Sequence, residues 1–379
     1  MFNRILVPLD GSKLAELSIP HAEQFARIFG STIILLQVLE PTSYHENPKP
    51  VDPLSWQIRK TEVDMYMQAV AGRILTDLGQ PARDAAGTLS GSASHSGEGT
   101  MAEKKVRVEY SIREGRTAEN IIDFAHNENI DLLILTTHGS SGLSRWNISS
   151  VVQKVINLIY LPVLIVRAYQ SSGTEDARIR YRRILLPFDT SRRAEYSLAA
   201  GVALTQGETT MNPAVETGAL APLPVGSRVA GQADSIDDPA AFRSKLLLAA
   251  IIRPAEIPIP EPYPPEIGQL SEQLMHVSRE AVNNYLDEMK LRLPVECEIC
   301  IVENNSVPAA IHELADQEDV DLVVLTAHGY TGRFTWPYGT VTRNYIEHGT
   351  KSVLVIQDIP LSQVRPSVAE IAAKKTGRR

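Results

Sequence analysis

The chain starts over halfway along its length. RILVPLD at 4–10 returns as RILLPFD at 183–189, and DLLILTTHG at 131–139 returns as DLVVLTAHG at 321–329. Trp146 and PVLIV at 162–166 find partners in Trp336 and SVLVI at 352–356. Order and spacing are both kept, so the chain must fold as two copies of one unit. A length of 379 residues agrees, since about 150 residues make an ordinary domain. The copies are placed at 1–168 and 181–358, with a polar linker at 169–180 and a tail at 359–379. The step between copies is 179 residues at the first motif and 190 at the later ones. Gly-, Ser- and Ala-rich residues 80–104 and Gly-, Pro- and Ala-rich residues 208–244 account for the difference and are expected to be flexible insertions.

Within each copy strand and helix signals alternate. The first reads as strands at 4–9, 32–39, 105–112, 131–136 and 162–167, with helices at 13–29, 53–79, 117–128 and 146–159 between them. The second reads as strands at 183–187, 245–252, 295–302, 321–326 and 352–356, with helices at 190–205, 265–292, 306–317 and 339–348. Runs such as IILL and LLIL are continuously apolar, the pattern of parallel strands covered by helices on both faces. The expected fold class is therefore α/β, with two tandem doubly wound domains, each a five-stranded parallel sheet. The apolar fifth strands, PVLIV and SVLVI, would be open edges and are expected to pair as an intramolecular pseudo-dimer.

Composition removes several function classes. A net charge of −8 argues against broad attraction to nucleic acid, and Lys374, Lys375, Arg378 and Arg379 form only a short solvated basic end. The stretch 148–166 is broken by Gln153, Lys154, Asn157 and Pro162, so no membrane span is expected. The opening Met-Phe-Asn-Arg leads directly into a strand and the chain has two cysteines, which makes a reducing cytoplasm the expected compartment. Cys297 and Cys300 have redox or zinc spacing, but on a strand residues three apart face opposite ways. No metal site or catalytic nucleophile and base are expected.

Ligands of doubly wound sheets bind beyond the carboxyl ends of the strands. Asp10 and Asp189 end their first strands and can either accept hydrogen bonds from a ligand or cap the next helix. Pro8 and Pro187 shape the strand exit. The fourth strands end in Thr-His-Gly and Ala-His-Gly, and the helices beyond begin near Ser149 and Ser150 or Gly339 and Thr340, residues that suit a phosphate. His138 and His328 can touch a ligand or orient the loop, and Trp146 and Trp336 read as packing anchors.

This arrangement resembles the universal stress protein family, whose nucleotide-binding members carry G-x2-G-x9-G-[ST] after the fourth strand. Each copy matches over nearly its whole length. The signature positions here are Thr136, Gly139, Ser149 and Ser150, then Thr326, Gly329, Gly339 and Thr340. Thr replaces the leading Gly in both copies and Ser149 replaces the third Gly in the first. The resemblance implies a Rossmann-like fold of the adenine nucleotide alpha hydrolase type and a non-catalytic stress or signalling protein. Its ligand would be ATP or a related adenine nucleotide, with Mg2+ a possible companion. By the same resemblance the base and ribose would meet Pro8, Asp10 and Val38, or Pro187, Asp189 and Ile251, with Val151 and Val341 beside the phosphate loop. Those apolar positions equally suit a core. The alternative is an interaction module of the same fold that has lost its ligand. Homo-oligomers are compatible with either. Because the second copy keeps Gly339-Thr340, it is expected to be the better site.

Overall fold

The computed structural model describes residues 1–40, 52–79, 106–137, 148–167, 179–210, 244–255, 264–330 and 337–358. The expected insertions at 80–104 and 208–244 lie outside them, apart from 208–210 at the end of a helix and Ser244. His138, Gly139, Trp146 and Trp336 also lie outside.

In chain order the elements of the first copy are β1 (Arg4–Leu9), α1 (Lys13–Glu16), α2 (Ser18–Phe29), β2 (Thr32–Leu39), α3 (Pro53–Asp77), β3 (Arg107–Glu114), α4 (Thr117–Asn127), β4 (Leu132–Thr136), α5 (Ser150–Ile156) and β5 (Val163–Val166). The second copy supplies β6 (Arg183–Phe188), α6 (Tyr196–Thr210), β7 (Lys245–Ile252), α7 (Pro265–Arg292), β8 (Cys297–Glu303), α8 (Val307–Gln317), β9 (Leu322–Thr326), α9 (Thr340–His348) and β10 (Ser352–Ile356). They form two compact units: Met1–Ile179 with Gly332–Arg379, and Arg180–Thr331.

In the first unit the strand order is β3-β2-β1-β4-β5-β10. The five strands of the first copy are parallel, as their apolar runs require. β10 runs antiparallel to β5, with Val353 opposite Ile165 and Val355 opposite Val163. Pairing with β5 is the physical reason that residues 332–358 group with the first unit: it closes an apolar edge that would otherwise stand open. In the second unit the order is β9-β6-β7-β8, again parallel.

One device recurs in both units. At the foot of the sheet, Asp131 Oδ2 accepts from the backbone N–H groups of Asn3 and Arg4 at 2.8 and 3.0 Å. Asp321 Oδ2 accepts in the same way from Arg182 and Arg183 at 2.7 and 2.9 Å. Each carboxylate fixes the start of the first strand against the fourth. β1, β4, β6 and β9 then lie in the core, with Ile5, Leu133, Ile184 and Val323 inaccessible to solvent. β3 and β8 are half-exposed and interleave charged residues, so the continuous apolar pattern belongs only to inner strands.

Helix boundaries differ from expectation for local reasons. The single helix expected at 13–29 is broken at Leu17 into α1 and α2. Pro20 has no N–H to give to the carbonyl of Glu16, and Ser18 Oγ turns back onto the Ala15 carbonyl at 2.6 Å. The helix expected at 190–205 begins only at Tyr196, and there Ser197 Oγ repeats the bond to the Ala194 carbonyl at 2.7 Å. The helix expected at 146–159 is regular only over Ser150–Ile156. Among the described residues no helix is long and apolar enough to cross a membrane.

Candidate functional site

In each unit the strand order reverses beside the first strand: β2 and β3 lie on one side of β1 and β4 on the other, and β7 and β8 flank β6 opposite β9. A crevice at the carboxyl ends is the outcome of such a reversal. Asp10 follows β1 and Thr136 ends β4, while Asp189 follows β6 and Thr326 ends β9. Asp10 with Thr136, and Asp189 with Thr326, thus stand at the carboxyl ends of neighbouring strands.

In the first unit Asp10 is exposed, and its Oδ1 accepts from the backbone N–H of Ser12 at 3.0 Å. Gly11 between them has φ +81°, the left-handed region that glycine enters without penalty. Ser12 caps α1 by accepting from the Ala15 N–H at 3.1 Å. Pro8 and Val38 are half-buried and Thr136 is buried. Ser149 is the N-cap of α5 rather than part of its first turn, with its Oγ accepting from the Val152 N–H at 3.3 Å. Its backbone N–H donates to the Thr137 carbonyl at 2.9 Å, which sets the start of α5 beside the end of β4. Ser150 is exposed and Val151 half-buried.

In the second unit both oxygens of the aspartate are bonded. Asp189 Oδ1 accepts from the Ser191 N–H at 3.1 Å and the Ser191 hydroxyl at 2.5 Å, while Oδ2 accepts from the Tyr330 N–H at 2.6 Å. Gly329 stands against this carboxylate so closely that an added Cβ would collide with Oδ2. Thr190, the counterpart of Gly11, takes φ +60°, a conformation that costs a β-branched residue free energy. Pro187 and Ile251 are half-buried, and Thr326 Oγ1 donates to the His328 carbonyl at 3.1 Å. His328 is buried, in keeping with a role in ordering the loop.

Gly339, Thr340 and Val341 belong to the first unit, at the start of α9. Gly339 is the N-cap, with φ −71° and ψ 170°, and Ser149 is similar at φ −58° and ψ 147°. Both are conformations open to any residue, so a need for positive φ gives no reason to prefer glycine at 339. Cys297 is buried, Cys300 is half-buried, and neither forms a disulfide. Burial pushes both thiols up, away from the thiolate that redox or metal chemistry needs. Among the described residues no group of three or more His, Cys, Asp or Glu side chains could hold a metal ion.

The structure also adds residues that sequence reasoning missed. Tyr66 on α3 donates its hydroxyl to Glu16 Oε1 at 2.9 Å, and Arg73 bonds Glu16 Oε2 at 2.6 Å. On α7, Tyr285 donates to Glu195 Oε1 at 3.2 Å. Each glutamate lies six residues beyond the site aspartate. The available signal was a Tyr followed seven residues later by Arg in both long helices, Tyr66 with Arg73 and Tyr285 with Arg292.

A model of the family described as the universal stress protein family matches residues 1–167 and 229–357. Universal stress protein MJ0577 of Methanocaldococcus jannaschii is 24% identical over 178 residues, 45% of this chain and 98% of that protein. Universal stress protein MJ0531 of the same organism is 24% identical over 167 residues, 44% of this chain and 83% of that protein. Among solved structures, a universal stress protein from Archaeoglobus fulgidus aligns with 94% of this chain and 99% of its own, at 14% identity and a TM-score of 0.53. At such identity the structural likeness speaks for the fold.

Proposed function

The chain belongs to the universal stress protein family, and on that premise we propose that it binds an adenine nucleotide, ATP first among them, in a stress-response or signalling role without turnover. The observation that carries this reading is the recurrence, at both strand-order reversals, of an aspartate just after the first strand and a buried threonine ending the fourth. A carboxylate there can accept from ribose hydroxyls, with Pro8 and Val38 or Pro187 and Ile251 as the apolar wall for the base. Gly139, Ser149, Ser150, Val151, Gly329, Gly339, Thr340 and Val341 are the remaining residues proposed as contacts. Mg2+ would enter with the phosphates. Binding rather than chemistry is the proposed role. The two copies are proposed to form an intramolecular pseudo-dimer through their fifth strands, in a protein of the cytoplasm.

A second reading has one observation in its favour. Both oxygens of Asp189 are already occupied by the chain's own donors, as expected of an interaction module whose aspartate has become a loop tie. The two readings separate by mass spectrometry of small molecules released from the purified protein, followed by calorimetric titration of the wild type, Asp10→Ala and Asp189→Ala with ATP and magnesium. Nucleotide binding reads as ATP uptake by the wild type that falls in at least one variant. No released nucleotide, and no heat with millimolar ATP, would leave the interaction module standing.

A further inference from the structure

We propose that Tyr66 and Tyr285 are positioning residues of the two ligand sites, each tying a long helix to the turn that carries the site aspartate, so that ligand occupancy and long-helix docking are coupled. The inference rests on the reading of Asp10 and Asp189 as ligand contacts. Three observations carry it beyond that reading.

The constellation occurs twice with the same chemistry. Tyr66 meets Glu16 and Tyr285 meets Glu195, with the same spacing from aspartate to glutamate. The glutamates are displaced by 179 residues between copies and the tyrosines by 219, so the contact has survived a large difference in the intervening chain. Burial, followed by the neighbouring glutamate, pushes both phenols well above their ordinary range, and the charges of Asp10 and Asp189 add to the effect. Each phenol therefore remains a hydrogen-bond donor, within electrostatic reach of the aspartate.

The path from aspartate to phenol is short and bonded. Asp10 accepts from Ser12, Ser12 caps the single turn of α1, and that turn ends at Glu16. Asp189 accepts from Ser191, whose hydroxyl accepts from the Ala194 N–H at 3.3 Å one residue before Glu195. The second turn also contains Thr190 at positive φ, a strained residue that the surrounding bonds must hold.

Other side-chain bonds reach the long helices from the strands, Lys60 to Glu114 and Tyr110 to Asp64 on α3 and Arg279 to Glu303 on α7, but these meet β3 and β8 rather than the turn beyond the site aspartate. α7 has 28 residues and buries Leu286 and Met289, while Leu270, Leu274 and Val277 stand exposed. α3 buries Val63, Met67, Val70, Ala71 and Ile74 out of 25 residues. With so narrow an apolar contact, the bonds to Glu16 and Glu195 are what join each long helix to the turn beyond the site aspartate, Arg73 adding to the first.

Hydrogen exchange on the full chain, with and without ATP and magnesium, tests the coupling, alongside calorimetry. In the wild type ATP should slow exchange of amides in 66–77 and 285–292. Tyr66→Phe should abolish the ATP-dependent protection in α3 and keep it in α7, Tyr285→Phe should do the reverse, and each should weaken ATP binding about threefold. Glu16→Gln, with Tyr66 in place, keeps an acceptor for the phenol and should retain the coupling that Tyr66→Phe loses. If a phenylalanine variant exchanges faster both with and without ATP but keeps the ATP-dependent difference, the tyrosine is merely structural and the proposal fails. A wild type that binds no ATP overturns the site reading and this proposal with it, whereas intact binding with unchanged protection overturns this proposal alone.

Discussion

His21 sits on the buried face of α2, and burial lowers its pKa to about 4. An unfolded chain takes up the proton near pH 6.5, while the folded chain refuses it until the pH has fallen to about 4. The unfolded state thus holds the extra proton across that window, so stability rises with pH within it and is lost on acidification. The contribution is about 3 kcal/mol. Denaturant midpoints measured through this range should fall more steeply for the wild type than for His21→Asn. Parallel curves would show that other groups govern acid unfolding. Single residues were unevenly legible from sequence. Asp10 and Asp189 stood out because each closes a repeated motif, but the bonds that occupy Asp189 come from Ser191 and from distant Tyr330. The Tyr66–Glu16 pair joins residues fifty positions apart on different helices, and the shared Tyr-to-Arg spacing of the long helices marks the tyrosine without naming its partner.

Elements were legible where periodicity is strong and blurred where a side chain redirects the backbone. α7 and β7 begin and end where expected, whereas α1 and α2 separate because Pro20 and Ser18 change the local hydrogen bonding. The end of α9 shows a different dependence. Arg167, which follows β5 and is buried, donates through Nη2 to the carbonyls of Tyr345 and Ile346 at 2.7 and 2.8 Å, and through Nε to that of Lys351 at 3.4 Å. A guanidinium at a helix C-terminus satisfies orphan carbonyls and complements the helix dipole. Gln357 holds the matching place after β10. Arg167→Met should therefore cost about 2 kcal/mol in a denaturant titration, since it takes the guanidinium donor from the Ile346 and Lys351 carbonyls while the Tyr345 carbonyl keeps the Gly349 N–H at 2.8 Å. A loss below about 1 kcal/mol would mean that those carbonyls find other partners.

At the scale of the molecule the repeat was plain in the sequence, yet the first compact unit takes its sixth strand from the end of the second copy. Residues 1–167 expressed alone should leave the outer edge of β5 unpaired, with Val163, Leu164 and Ile165 along it. Light scattering should find such a fragment self-associated at micromolar concentration, and a stable monomer would show that the edge protects itself in another way. The β5–β10 pairing also sets a timetable on the ribosome. β5 is finished long before β10 exists, and at about 5–20 residues per second the interval between them lasts roughly 10 to 40 s. Throughout that wait a nascent chain presents an unpaired apolar strand to its neighbours on the same polysome, so the hazard for this protein lies in its synthesis rather than in its finished form.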